Sequence, residues 1–109
     1  MKKIISVVAV ALALSGATLF AGDAKTLYEN QCTKCHGADG KGDTKMGKRT
    51  GAKDYSDPKV QDALKDEVAF KSIKEGLKDK DGKTLMNPTT DVSDDDIKGL
   101  VTYMRTFKK

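Results

Sequence analysis

The sequence predicts an all-α domain of four or so short helices, and three observations carry that expectation. No stretch alternates apolar and polar residues at the period of two that a half-buried strand needs. Apolar residues recur instead at helical spacing, most clearly Ile97, Leu100, Val101, Met104 and Phe107 behind a capping Ser93. The chain is also short at 109 residues, and with a leading segment set aside about 85 remain, few enough that a domain needs something beyond its own apolar side chains.

The leading segment is Met1-Lys2-Lys3 followed by an apolar run from Ile4 to Leu14 and then small residues, which reads as a cleaved secretory signal over residues 1–22. A single domain over 23–109 follows. Cleavage after Ala21, Gly22 or Ala24 would each leave a small residue at the processing position. An uncleaved anchor is the rival reading, since Ile4 to Ala21 is nearly long enough to span a bilayer. Without it, the expected product is a periplasmic monomer with no membrane span. Removing Lys2 and Lys3 takes the formal net charge from +4 to +2, which gives no reason to expect nucleic acid as a partner. Charge is uneven along the chain. Lys41, Lys45, Lys48, Arg49 and Lys53 stand against Asp43, whereas Asp91, Asp94, Asp95 and Asp96 cluster near the end. A solvated face and a helix start explain this, and a docking patch for an acidic partner is the alternative.

From Ala24 to Gln31 the pattern is that of a short helix with Leu27 and Tyr28 facing inward. Gly37, Gly40, Gly42, Gly47 and Gly51 then crowd one segment, predicting irregular backbone close to something flat, or else a plain surface loop. Asp57-Pro58 is an N-cap followed by proline at the first helical position, and Val60, Ala63 and Leu64 form the apolar stripe of about two turns. Another helix starts near Asp66, with Val68, Ala69, Phe70, Ile73 and Leu77 in helical spacing and Gly76 placed as its C-terminal cap. Lys78 to Lys83 is a charged turn around Asp81-Gly82, and Thr84-Leu85-Met86-Asn87-Pro88 is irregular because Pro88 disfavours helix before it. In the last helix Asp94, Asp95 and Asp96 sit at the positive end, with Arg105, Lys108 and Lys109 at the negative end.

The chemistry lies in Cys32-Thr33-Lys34-Cys35-His36, the spacing at which one haem c can be attached covalently. Two thiols would add to the porphyrin vinyl groups, and His36 would bring an imidazole nitrogen to the iron. These are the only cysteines and the only histidine of the chain, so none is left for another purpose. A disulfide between Cys32 and Cys35 would close too short a loop to stabilise much. Structural zinc wants four ligands where three exist, and a thioredoxin-like pair wants a parallel sheet that this sequence does not suggest.

The iron face opposite His36 decides between electron transfer, ligand binding and catalysis. With no second histidine, the candidates are methionines. Met104 lies on the apolar face of the last helix, where core filling is the simpler role. Met46 follows His36 by only ten residues, a short path to the other ring face. Met86 lies fifty residues downstream in a proline-stiffened segment, with ample chain to come round the group, although a buried core methionine remains the alternative.

Together these pieces resemble a small bacterial class I cytochrome c, a monohaem c-type cytochrome. They are Leu27-Tyr28, Cys32 to Gly37, Asp39-Gly40-Lys41-Gly42, Met86 followed by Pro88, and Leu100-Val101 with Tyr103-Met104-Arg105. The resemblance implies an all-helical fold with the first and last helices crossing near the haem. It further implies His36 and Met86 as axial ligands, and transfer of one electron between donor and acceptor redox proteins, oxidoreductases or other cytochromes. It also suggests that Ala52 to Asp57 runs near the haem propionates, with Tyr55 or Arg49 donating hydrogen bonds. Two departures stand out. The chain has no proline in the loop after the motif, so another carbonyl between Lys41 and Gly47 is expected to accept the second N–H of His36, and it has no tryptophan.

The expected function is that of an electron carrier rather than an enzyme, passing electrons through an exposed haem edge ringed by lysines such as Lys34, Lys45 and Lys83. A haem-based sensor of small gases is the main alternative. A peroxidase is disfavoured because no distal His or Arg stands in a recognisable place.

Overall fold

A computed structural model describes residues 19–109, with side chains from Asp23 onward, so the expected signal lies outside the described residues except for its last positions. Six helices and one small hairpin follow in order: α1 (Leu19–Gln31), α2 (Thr33–His36), α3 (Lys45–Thr50), α4 (Pro58–Ala63), α5 (Asp66–Glu75), β1 (Leu77–Lys78), β2 (Thr84–Met86) and α6 (Asp94–Arg105). Among the described residues no helix is long and apolar enough to cross a membrane.

Helix α6 organises the core. Ser93 and Asp96 form a reciprocal capping box, and Asp94, Asp95 and Asp96 in the first turn oppose the helix dipole as expected. Its buried residues Ile97, Leu100, Val101 and Met104 meet Tyr28 of α1 and Ala69 and Ile73 of α5. Where α1 packs on α6, the rings of Tyr28, Tyr103 and Phe107 form a cluster with centroids 5.1 to 5.3 Å apart. Aromatic groups at such separations add a directional term to simple area burial.

Three expectations change. Helix α3 lies inside the segment whose glycine density argued against regular structure. Thr44 caps it by accepting from the Gly47 N–H, and Gly51 ends it in the left-handed conformation at φ 76°. Leu77 to Met86 form an antiparallel hairpin pairing Leu77 with Met86, with an irregularity after Leu77, so strands of two and three residues stand where Leu77 was expected in the helical stripe and turn and irregular chain were expected after it. Elements so short carry no periodic signal; the turn chemistry makes them. The Asp79 carboxylate accepts from the N–H groups of Asp81 and Lys83, and Gly82 takes φ 82°. In α4 the buried residue is Gln61 rather than the apolar stripe: Ala63 is exposed, and Val60 and Leu64 are only half-buried.

Gln61 is 3% exposed, yet its polar atoms are matched. Its amide donates to the carbonyls of Tyr55 at 2.7 Å and Met104 at 3.0 Å, and its Oε1 accepts from Arg105 Nη1 at 2.8 Å. Arg105 also donates to the carbonyls of Gln61 and Leu64 and to the Asp66 carboxylate, tying α4 and α5 to the end of α6.

Candidate haem site

The motif begins where α1 stops. The Cys32 N–H still donates to the Tyr28 carbonyl at 2.9 Å, and the N–H groups of His36 and Gly37 donate to the carbonyls of Cys32 and Thr33, so the five residues ride on one nearly continuous helical turn. The Tyr28 hydroxyl donates to the Gly37 carbonyl at 2.6 Å and closes that turn from the core side. Burial raises the pKa of this phenol well above its usual value, so it remains a donor.

The glycine-rich segment then folds back on the motif. The Gly42 N–H donates to the His36 carbonyl at 2.8 Å, and the Thr44 hydroxyl donates to the Cys35 carbonyl at 2.8 Å. Gly47 lies so close that a Cβ there would overlap the carbonyl oxygens of Cys35 and Gly42. Gly40 likewise leaves room for the Phe107 ring. The glycines of this segment thus make room for backbone carbonyls and a phenyl ring of the chain itself.

Both thiols are free and half-buried. The Cys32 thiol is pushed up to about 11, chiefly by burial and secondarily by Cys35. A thiol of that kind is protonated at neutral pH, the reverse of the lowered pKa that a dithiol redox catalyst requires. Among the described residues no group of three His, Cys, Asp or Glu side chains is arranged to hold a metal ion.

Burial lowers the pKa of His36, keeping the imidazole neutral with a lone pair to give. Its ring lies 5.6 Å from that of Tyr55, whose N–H donates to the Gly40 carbonyl at 2.8 Å. The His36 Nδ1 is buried with no hydrogen-bond partner. This corrects the expectation that a carbonyl between Lys41 and Gly47 would accept its N–H; the Gly47 carbonyl accepts from the Ala52 N–H instead. A neutral imidazole that keeps a lone pair, next to two free thiols on one helical turn, fits a haem: the other ring nitrogen, Nε2, would bind the iron and the thiols would join the vinyl carbons.

The methionines occupy distinct environments. Met104 is buried among core residues of α6, and Met46 is half-buried on α3 immediately after the motif. Met86 ends β2 and is half-buried against the same core cluster that Cys32 touches. Of the propionate-side candidates, Tyr55 is half-buried beside His36, whereas Arg49 is exposed on α3. Lys34, Lys45 and Lys83 are exposed. Sequence reasoning missed Thr44, Gln61 and Arg105 as supports of the site. Thr44 carried a visible signal as a capping residue three positions before Gly47; Gln61 and Arg105 meet across 44 residues and carried none.

The family described as Cytochrome c matches residues 21–108. Among solved structures, the KustC0563 c-type cytochrome is 33% identical, with a TM-score of 0.69 over 80% of this chain and 99% of its own. A tyrosine-to-phenylalanine mutant of Kustc0563 is 31% identical, with a TM-score of 0.66 over 79% of this chain and 99% of its own. No curated protein matches. With this match over nearly all the described residues, and a helical fold shared with c-type cytochromes, the chain belongs to the cytochrome c family and is an electron-transfer protein with one covalently attached haem c.

Proposed function

We propose that this is an exported electron carrier in which Cys32 and Cys35 hold the haem through thioether bonds and His36 and Met86 bind the iron from opposite faces. Residues 1–22 serve as a cleaved signal, residues 23–109 form the working domain in the periplasm, and the partners are donor and acceptor redox proteins. When bound, the haem supplies a one-electron couple. A methionine on the iron beside an imidazole stabilises the ferrous form relative to two imidazoles and leaves no open position for substrate, which favours carriage over catalysis.

The observation that carries the reading is the pairing of a neutral, half-buried His36 imidazole with the free thiols of Cys32 and Cys35 on one helical turn. The chain's own residues supply the rest. The Tyr28 hydroxyl fixes the turn, Tyr55 lies beside the imidazole, and Met86 is the methionine that lies neither on α6 nor on the element directly after the motif. The test is spectroscopic. Oxidised protein should show a methionine-to-iron charge-transfer band that disappears in Met86→Ala while the haem stays covalently attached. A band unchanged in that variant refutes the ligand assignment, and carbon monoxide binding by the unaltered reduced protein at neutral pH refutes carriage in favour of gas sensing.

A further inference from the structure

Met86 stands at the end of a hairpin that is weak by itself. β1 has two residues, β2 has three, and Leu77, the pairing partner of Met86, is 45% exposed. A two-stranded hairpin of this size is marginal in water. Something else must hold the chain at Met86 in register with the core.

That something is the end of α5. Gly76 caps the helix, its N–H donating to the Ser72 carbonyl at 2.8 Å, and it takes φ 78° and ψ −178°, a region that glycine alone uses routinely. A Cβ on Gly76 would lie 2.5 Å from the Met86 carbonyl oxygen, 2.9 Å from the Pro88 nitrogen and 3.0 Å from the Pro88 Cδ. Residues 86–88 therefore lie directly against the bare Cα of Gly76. Just beyond, the Thr89 N–H donates to the Ile73 carbonyl at 2.8 Å, and Ile73 is part of the buried core. The segment carrying Met86 is thus referenced to the core through the last turn of α5, at a distance that only a residue without a side chain permits.

We propose that Gly76 is a positioning residue for Met86: it sets how closely the methionine backbone approaches α5 and thereby where the sulfur stands. The inference rests on Met86 being an iron ligand. Gly82, in the turn of the same hairpin, provides the control. It also has positive φ, at 82°, but a Cβ there meets nothing within 4 Å. Alanine at either glycine strains the backbone; only at Gly76 does it displace the backbone of Met86.

The experiment uses the full haem-loaded protein with Gly76→Ala, Gly82→Ala and Met86→Ala, each read by the methionine-to-iron charge-transfer band and by the reduction potential well below its melting temperature. Gly76→Ala is expected to lose the band and shift the potential in the same direction as Met86→Ala, whereas Gly82→Ala keeps both near the unaltered values. A Gly76→Ala protein that retains band and potential overturns the positioning role while leaving Met86 ligation standing. A band that Met86→Ala does not change overturns both. Should Gly76→Ala fail to fold, Pro88→Ala removes the ring from the same seat with Gly76 intact. It is expected to weaken the band and lower the potential, and an unchanged band and potential there overturn the role as well.

Discussion

Around Cys32–His36 the chain is held by hydrogen bonds to the motif's carbonyls, whereas the segment of Met86 is seated by steric fit against the end of α5. The Tyr28, Thr44 and Gly42 bonds to the motif each span no more than nine residues. The seat at Gly76 joins residues ten to twelve positions apart through steric fit, beside the β1–β2 pairing and the hydrogen bond from Thr89 to Ile73. The difference suits the two tasks assigned to them. Covalent attachment needs a prearranged turn that brings two thiols and an imidazole to one place, and the bonds from Tyr28, Gly42 and Thr44 hold that turn. A methionine ligand needs its sulfur delivered from another part of the chain, and the close seat on Gly76 does that.

The largest expected effect tests whether the motif side is held as closely as the geometry indicates. In Gly47→Ala the new methyl meets the carbonyl oxygens of Cys35 and Gly42, both backbone atoms that cannot swing aside. Overpacking of this kind costs about 3 kcal/mol. The check is denaturant unfolding of the haem-loaded protein against Gly51→Ala, where φ is 76° but nothing lies within 4 Å, and where the strain alone costs about 1 kcal/mol. If the two variants unfold at the same denaturant concentration, the close packing of α3 on the motif is not what holds it.

The next effect asks whether the two sides are independent. Arg105→Ala removes charge-assisted bonds to Gln61, the Leu64 carbonyl and Asp66, and leaves the buried Gln61 Oε1 without its donor. A loss of about 2 kcal/mol follows from such bonds. Because Gln61 holds the Tyr55 carbonyl, the change should reach the His36 side first and appear as altered near-ultraviolet dichroism of the tyrosines, with the methionine band unchanged. Loss of that band instead would show that α6 couples the two sides and would end the contrast drawn above.

The same contrast explains what the sequence made legible. The motif, the capped α6 and the inward Tyr28 are written in residues close together, where capping chemistry and helical spacing leave a signal. Gly76 was readable as a helix cap but not as a seat for Met86, because a cap is local and a close approach is not. Gln61 was hidden for a stronger reason. A polar residue in a predicted apolar stripe reads as solvent-facing until its partner Arg105, at the far end of the chain, is brought beside it. Helix α3 was lost to its own glycines, two of which serve it: Gly47 admits the Cys35 carbonyl, and Gly51 ends the helix.

The smallest effect concerns the turn that leads Tyr55 to α4, and it is confined to acid. The Asp54 carboxylate accepts from the Ser56 hydroxyl and, at 2.9 Å, from the Ser56 N–H, and these bonds hold its pKa below the ordinary 3.8. A carboxylate whose folded pKa is depressed stabilises the fold fully above its unfolded value, and the contribution disappears as pH falls through the folded value. In Asp54→Asn the side chain keeps a neutral oxygen acceptor and has nothing to titrate. The difference in stability between the unaltered protein and this variant should therefore be constant from neutral pH down to about 5, then shrink below the ordinary aspartate range. Thermal melts of both proteins between neutral and strongly acid pH measure it. A difference that stays constant throughout would mean that the Ser56 bonds do not distinguish the charged carboxylate from the neutral amide, and the Tyr55 turn would then owe its hold to other bonds, such as those to Gln61 and Gly40.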